Sequence, residues 1–184
     1  MILLRAALAA TVLVTSAASA QVRFNRYEAG GLSAELPGPG ETSDNRVEGI
    51  KARVITLEST IEEPVAGKTW PEFRAYYMVQ GVIADEPYDV DAKLKEMTEP
   101  REDAVISNRI LSTRTLSPSE MPVPGMRGVE RVMLLSGFGD GSEQIETSHD
   151  MFVGNRWLSV SVRHGTQDDR WSAEPLFRSL TWEN

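Results

Sequence analysis

The sequence has no cysteine in its 184 residues. That excludes disulfides, thiolate metal sites and cysteine nucleophiles, so packing alone must hold the fold. Histidine is scarce: His149 and His164 are the two in the chain, which leaves little material for a histidine-built metal centre. Basic residues are in deficit, 19 against 27 acidic ones, a net charge of −8. Such a balance disfavours nucleic acid and anionic membrane surfaces as partners. Past the chain start, no apolar run is long enough to span a bilayer. No Gly-x-Ser-x-Gly elbow surrounds Ser33, Ser136, Ser148 or Ser159, so a serine nucleophile has no motif behind it.

What is present begins with a targeting pattern. Arg5 gives a short basic start, residues 6–14 form a brief apolar run, and Ala18-Ser19-Ala20 places small residues where a signal peptidase reads. This predicts a secretory signal peptide over residues 1–20 and a mature chain of one domain over residues 21–184. Without Arg5 the net charge becomes −9. No cysteine follows the expected cleavage point to take a lipid. The expected location is the bacterial periplasm or the medium.

Residues 151–162 organise the rest, as a β-hairpin turning at Gly154-Asn155. A two-residue loop sets Met151 opposite Leu158, His149 opposite Val160, Thr147 opposite Val162 and Phe152 opposite Trp157. Leu158, Val160 and Val162 then share one face with both histidines, while Trp157, Ser159, Ser161 and Arg163 take the other. Further strands are expected at residues 31–36, 47–58, 73–83, 104–116 and 128–135, from alternation bounded by Gly and Pro. Residues 21–27 read as a lead-in, residues 37–45 as a polar loop and residues 62–67 as a turn. Asp89 caps a helix running to about Glu99, with Val90, Leu94 and Met97 as its apolar stripe. A second helix over residues 173–180 is capped by Ser172. It carries Pro175 in its first turn and Trp171 as a staple on Leu176, and it docks through Ala173, Leu176, Phe177 and Leu180. The expected class is α+β, an antiparallel sheet with helices packed on it.

Four stretches, in order, carry a resemblance. They are Gly31-Leu32-Ser33-Ala34-Glu35-Leu36-Pro37-Gly38; the aromatic strand from Phe73 to Val79; Pro124-Gly125-Met126-Arg127-Gly128-Val129-Glu130 with Met151-Phe152-Val153-Gly154-Asn155-Arg156-Trp157-Leu158; and Leu176-Phe177-Arg178-Ser179-Leu180. Together they resemble the exported bacterial PsbP / Mog1 / DcrB-like group. The resemblance implies an antiparallel β-sheet sandwiched by α-helices. It also implies a non-catalytic adaptor, assembly helper or accessory subunit acting on another envelope protein. It supplies no catalytic motif and no cofactor.

The residues leave several site readings open. His149 and His164 are either hydrogen-bonded structural histidines or the edge of a metal or small-ligand pocket between sheet and helix; Asp150 alternates away from His149, which weakens a metal centre. Gly139-Asp140-Gly141-Ser142-Glu143 reads as a turn, since it lacks the repeated ligands of a calcium loop. Phe152, Trp157 and Arg163 form either core or, if that sheet face is open, an aromatic-basic binding patch. The proline-rich residues 117–125 are the other candidate contact surface. The function expected is a non-catalytic exported binding, adaptor or assembly protein of the bacterial envelope, or alternatively a small-ligand or metal-binding periplasmic protein with a pocket between sheet and helix; no catalytic residue, assigned metal ligand or cofactor is expected.

Overall fold

The structure, a computed structural model, describes residues 23–63, 72–99, 107–138, 141–166, 171 and 173–183. The predicted signal peptide, the breakers Pro64, Gly67 and Pro100, the Gly139-Asp140 pair and the Ser172 cap lie outside the described residues.

In chain order the elements are β1 (Phe24–Ala29), β2 (Leu32–Pro37), β3 (Gly40–Val47), β4 (Ala52–Glu63), β5 (Glu72–Ala84), α1 (Val90–Thr98), β6 (Ser107–Thr115), β7 (Arg127–Ser136), β8 (Gln144–Val153), β9 (Arg156–Gly165), α2 (Glu174–Ser179) and β10 (Thr181–Trp182). Seven strands make one sheet in the order β3-β4-β5-β9-β8-β7-β6. Two antiparallel meanders, β3 to β5 and β6 to β9, meet at the β5–β9 pair. Between them the chain passes through α1 from the middle of the sheet to its edge. A second sheet, β1-β2-β10, joins the two ends of the described chain.

This corrects the expected class. The fold is β-rich, with two sheets and two short helices among the described residues, and is not a sheet sandwiched by helices. Residues 24–27 of the stretch read as a lead-in belong to β1, which pairs with β2, and residues 40–45 of the expected polar loop belong to the edge strand β3. The second sheet, with α2 beside it, covers the face that helices alone were expected to cover. Residue 47 ends β3 instead of opening the next strand, and Lys51, in the left-handed region at φ 49°, leads out of a 3-10 turn into β4. Glu62 and Glu63, read as a turn, continue β4 past a bulge opposite β5.

Elsewhere the local chemistry acts as its pattern requires. The β8–β9 hairpin has the two-residue loop and the register set by Met151–Leu158, His149–Val160, Thr147–Val162 and Phe152–Trp157. Gly154 supplies the left-handed turn residue at φ 54°. Asp89 caps α1 by accepting a 3.0 Å hydrogen bond from the Ala92 amide. One face of the large sheet, including Ile55, Leu57, Tyr77, Val79, Leu158 and Val160, packs on Leu32, Ala34 and Leu36 of β2 and on Leu176 of α2. The opposite face is partly covered by α1, where Met97 meets Val129 and Phe152.

Candidate functional site

Strand register builds a row of side chains across the sheet. Arg114 on β6 pairs with Glu130 on β7, which pairs with His149 on β8. Residues opposite one another on antiparallel strands share a face, so all three point to the side that α2 covers. The Arg114 guanidinium donates from Nε to Glu130 Oε1 at 2.9 Å and from Nη2 to Glu130 Oε2 at 2.8 Å. It also donates to both oxygens of Glu120, at 3.1 and 2.8 Å. Glu120 is fixed in turn by a 3-10 turn (Pro118–Glu120), where its carboxylate accepts from the Ser117 amide and hydroxyl, each at 2.8 Å. Bidentate contacts of this kind fix geometry as well as adding energy.

At the other end of the row His149 is buried. Its Nε2 lies 2.9 Å from Glu130 Oε2, and its ring stacks on Phe177 of α2 at 3.6 Å, 12° from parallel. Burial pushes the His149 pKa below its ordinary value, and the Glu130 carboxylate only partly opposes it. Burial acts to raise Glu130, but hydrogen bonds from Arg114 and His149 win and hold it below the usual carboxylate range. Arg114, then the Ser117 donors, draw Glu120 down to about 2. At neutral pH the row therefore holds two carboxylates, one guanidinium and a neutral imidazole. Because Nε2–H donates to Glu130, Nδ1 is the acceptor of that ring.

Above this floor lies a cleft of about 730 Å³. One wall is the turn after β6, with Ser119, Glu120, Met121 and Pro122; the other is α2 and its flanks, with Phe177, Arg178 and Leu180. The proline-rich segment singled out in the sequence thus forms a wall of the cleft, and His149 its floor. The volume falls in the range of about 300–1,000 Å³ typical of small-molecule sites. A second crevice of about 410 Å³, between α1 and the sheet, is lined largely by apolar side chains such as Val54, Val82 and Met97.

The structure does not unite the other candidates with His149. His164 shares its face but pairs with Ile145 and Ala75, four register pairs along, and its Nδ1 contacts the Gly165 carbonyl at 2.9 Å. Phe152 is fully buried beneath α1, stacked on Trp157 at 6.0 Å and edge-on to Tyr88 at 5.6 Å. Trp157 is half-buried and donates its Nε1–H to Asp150 at 3.2 Å. Arg163 is held by Glu146 at 3.0 Å and lies 5.7 Å from the Tyr76 ring. These three therefore do not form an exposed aromatic-basic patch: Phe152 is core, and the arginine is paired. Asp150 faces away from His149 and takes a 2.6 Å bond from Arg131.

Sequence reasoning missed Arg114, Glu130 and Phe177. Arg114 and Glu130 lie 16 residues apart, and Glu130 and His149 are separated by 19, spacings that carry no local signature. Among the described residues no group of three or more His, Asp or Glu is disposed to hold a metal ion. No helix among them is long and apolar enough to cross a membrane. No protein-family model matches this chain, and no curated protein matches it.

Proposed function

We propose that this chain is a non-catalytic, exported binding protein of the bacterial envelope and that it binds through the cleft between α2 and the β6–β8 end of the large sheet. The observation that carries the reading is the fixed polar floor. Arg114, Glu120, Glu130 and His149 are tied to one another by the hydrogen bonds above, so they present a preorganised surface. Each carboxylate there is already engaged by the same guanidinium, which fits recognition better than proton shuttling, where a group of intermediate pKa is needed. The targeting pattern at the chain start and the acidic balance of the mature chain support export and solubility.

The test is native mass spectrometry of the protein purified gently from its own host, alongside Phe177→Ala. Phe177 walls the cleft and is half-buried, so its truncation should leave the far-ultraviolet circular dichroism spectrum unchanged. A bound molecule or partner on the unaltered protein that is lost from the variant supports the reading. A bound species that the variant retains, or a bare protein that also yields no cross-linked partner in the cell, overturns it.

A further inference from the structure

We infer that the cleft selects an organic cation, an ammonium or guanidinium group on an aliphatic stem; this rests on the reading of the cleft as the binding site. Charge counted over the described lining residues leads there. Arg178 and Glu174 on α2 pair with each other at the exposed mouth and cancel. Inside, Glu120 and Glu130 face one guanidinium, Arg114, while His149 is neutral and Thr147 uncharged. Among the described residues the floor therefore carries one negative charge in excess, on side chains that are partly withdrawn from solvent, where such a charge attracts more strongly than in bulk water.

Hydrogen-bond capacity has the same sign. Arg114, the one cation on the floor among the described residues, commits Nε and both terminal nitrogens to the two glutamates, so an incoming anion meets no free fork there. A cation meets acceptors: Glu120 Oε1 and Glu130 Oε1 each accept a single hydrogen bond among the described residues and keep a lone pair for another donor. Phe177, Met121 and Leu180 then line the cleft with apolar surface suited to a methylene stem. The negative balance of the whole chain draws cations toward it. The same chemistry is offered by a free alkylamine and by a lysine or arginine side chain on a partner polypeptide.

Calorimetric titration of the full protein at low salt separates these cases, with hexylammonium, the methylamide of N-acetyl-lysine, and hexanoate as the anion of matching length. Both cations should bind one site and hexanoate should not. Glu120→Gln, which keeps an amide oxygen for the Ser117 cap, should weaken the cations roughly tenfold or more by removing the surplus charge. In the unaltered protein added salt should weaken them as well. Tighter binding of hexylammonium assigns a free amine; tighter binding of the lysine derivative assigns a polypeptide side chain. Hexanoate binding as tightly as hexylammonium, cation binding indifferent to both Glu120→Gln and salt, or no binding by any probe overturns the assignment. The two proposals fail separately. A natural ligand lost on Phe177→Ala but neutral or anionic leaves the cleft as the site and removes the cation, whereas a ligand indifferent to Phe177 removes the site itself.

Discussion

His149 is held neutral by its surroundings, and that has a pH signature. In an unfolded chain a histidine titrates near about 6.5, but burial holds the folded one lower. Below that pH the unfolded chain takes up a proton that the folded chain resists. The stability His149 contributes is thus complete above about pH 6.5 and is lost as the pH falls from there toward its folded value. Glu130 and Glu120 act in a separate, more acidic window. Their depressed values stabilise the fold above the ordinary carboxylate range, and that is lost as the pH falls through it, toward about 2 for Glu120. Thermal unfolding should therefore shift downward between pH 7.5 and 5.5, and His149→Phe, which keeps the stack on Phe177, should flatten that shift. Equal shifts in both proteins would remove His149 as the cause. A second residue-scale prediction concerns space. A Cβ on Gly128 would sit 2.7 Å from Met151 Cγ and 2.8 Å from the Asp150 carbonyl oxygen, while one on Gly49 meets nothing within 4 Å. Gly128→Ala should cost about 1–3 kcal/mol in urea unfolding through overpacking. Gly49→Ala should stay within about 0.5 kcal/mol of the parent.

The element on which the cleft depends most is α2. Its six residues are too few to form a helix alone, so it exists because Leu176, fully buried, and Leu180 anchor it to the core. Leu176→Ala should cost about 2–5 kcal/mol and also weaken any cleft ligand, because Phe177 rides on the same turn. Asp89→Ala at the α1 cap should cost only about 1 kcal/mol and leave the cleft ligand unaffected. Full ligand affinity in Leu176→Ala would show that α2 does not shape the site. The legible elements share one property, a buried face with a period. The long strand β5 alternates buried with half-buried positions and α1 carries its apolar stripe, while the β8–β9 hairpin, buried on both faces at its middle, was marked by its Gly154-Asn155 turn and its alternating sequence; each was readable from its residues. β3 carries no such pattern because its seven residues after Gly40 are exposed on both faces, so it resembles a polar loop. β10 is two residues long and exists only as a partner of β2. Missing β10, and reading most of β1 as a lead-in, removed the second sheet and left helices to cover the core. The cleft was legible in part: His149 and the proline-rich turn stand out by residue type. The Arg114–Glu130–His149 row exists only once three strands are in register.

At the scale of the molecule, the small sheet has no core of its own. Its buried residues Leu32, Ala34 and Leu36 belong to the same cluster as Tyr77, Leu158 and Val160 of the large sheet. Trp182 of β10 joins them there. A Cβ on Gly81 would lie 3.1 Å from its ring, so β5 admits the indole by carrying no side chain at that point. Arg156 covers the ring from outside at 4.1 Å. The two sheets should therefore unfold together, giving coincident urea transitions by far-ultraviolet circular dichroism and by tryptophan fluorescence. Trp182→Ala should lower stability by about 3–5 kcal/mol while keeping the transition single. Trp182→Phe should cost markedly less, because the indole Nε1 is buried without a hydrogen-bond partner among the described residues and its loss breaks no contact. An early fluorescence change with the dichroism still native would mean that the small sheet detaches on its own. In that case the closure of the chain ends through β2 would be an ornament on a self-sufficient seven-stranded sheet, and the α2 that follows β9 would owe its position to the large sheet alone.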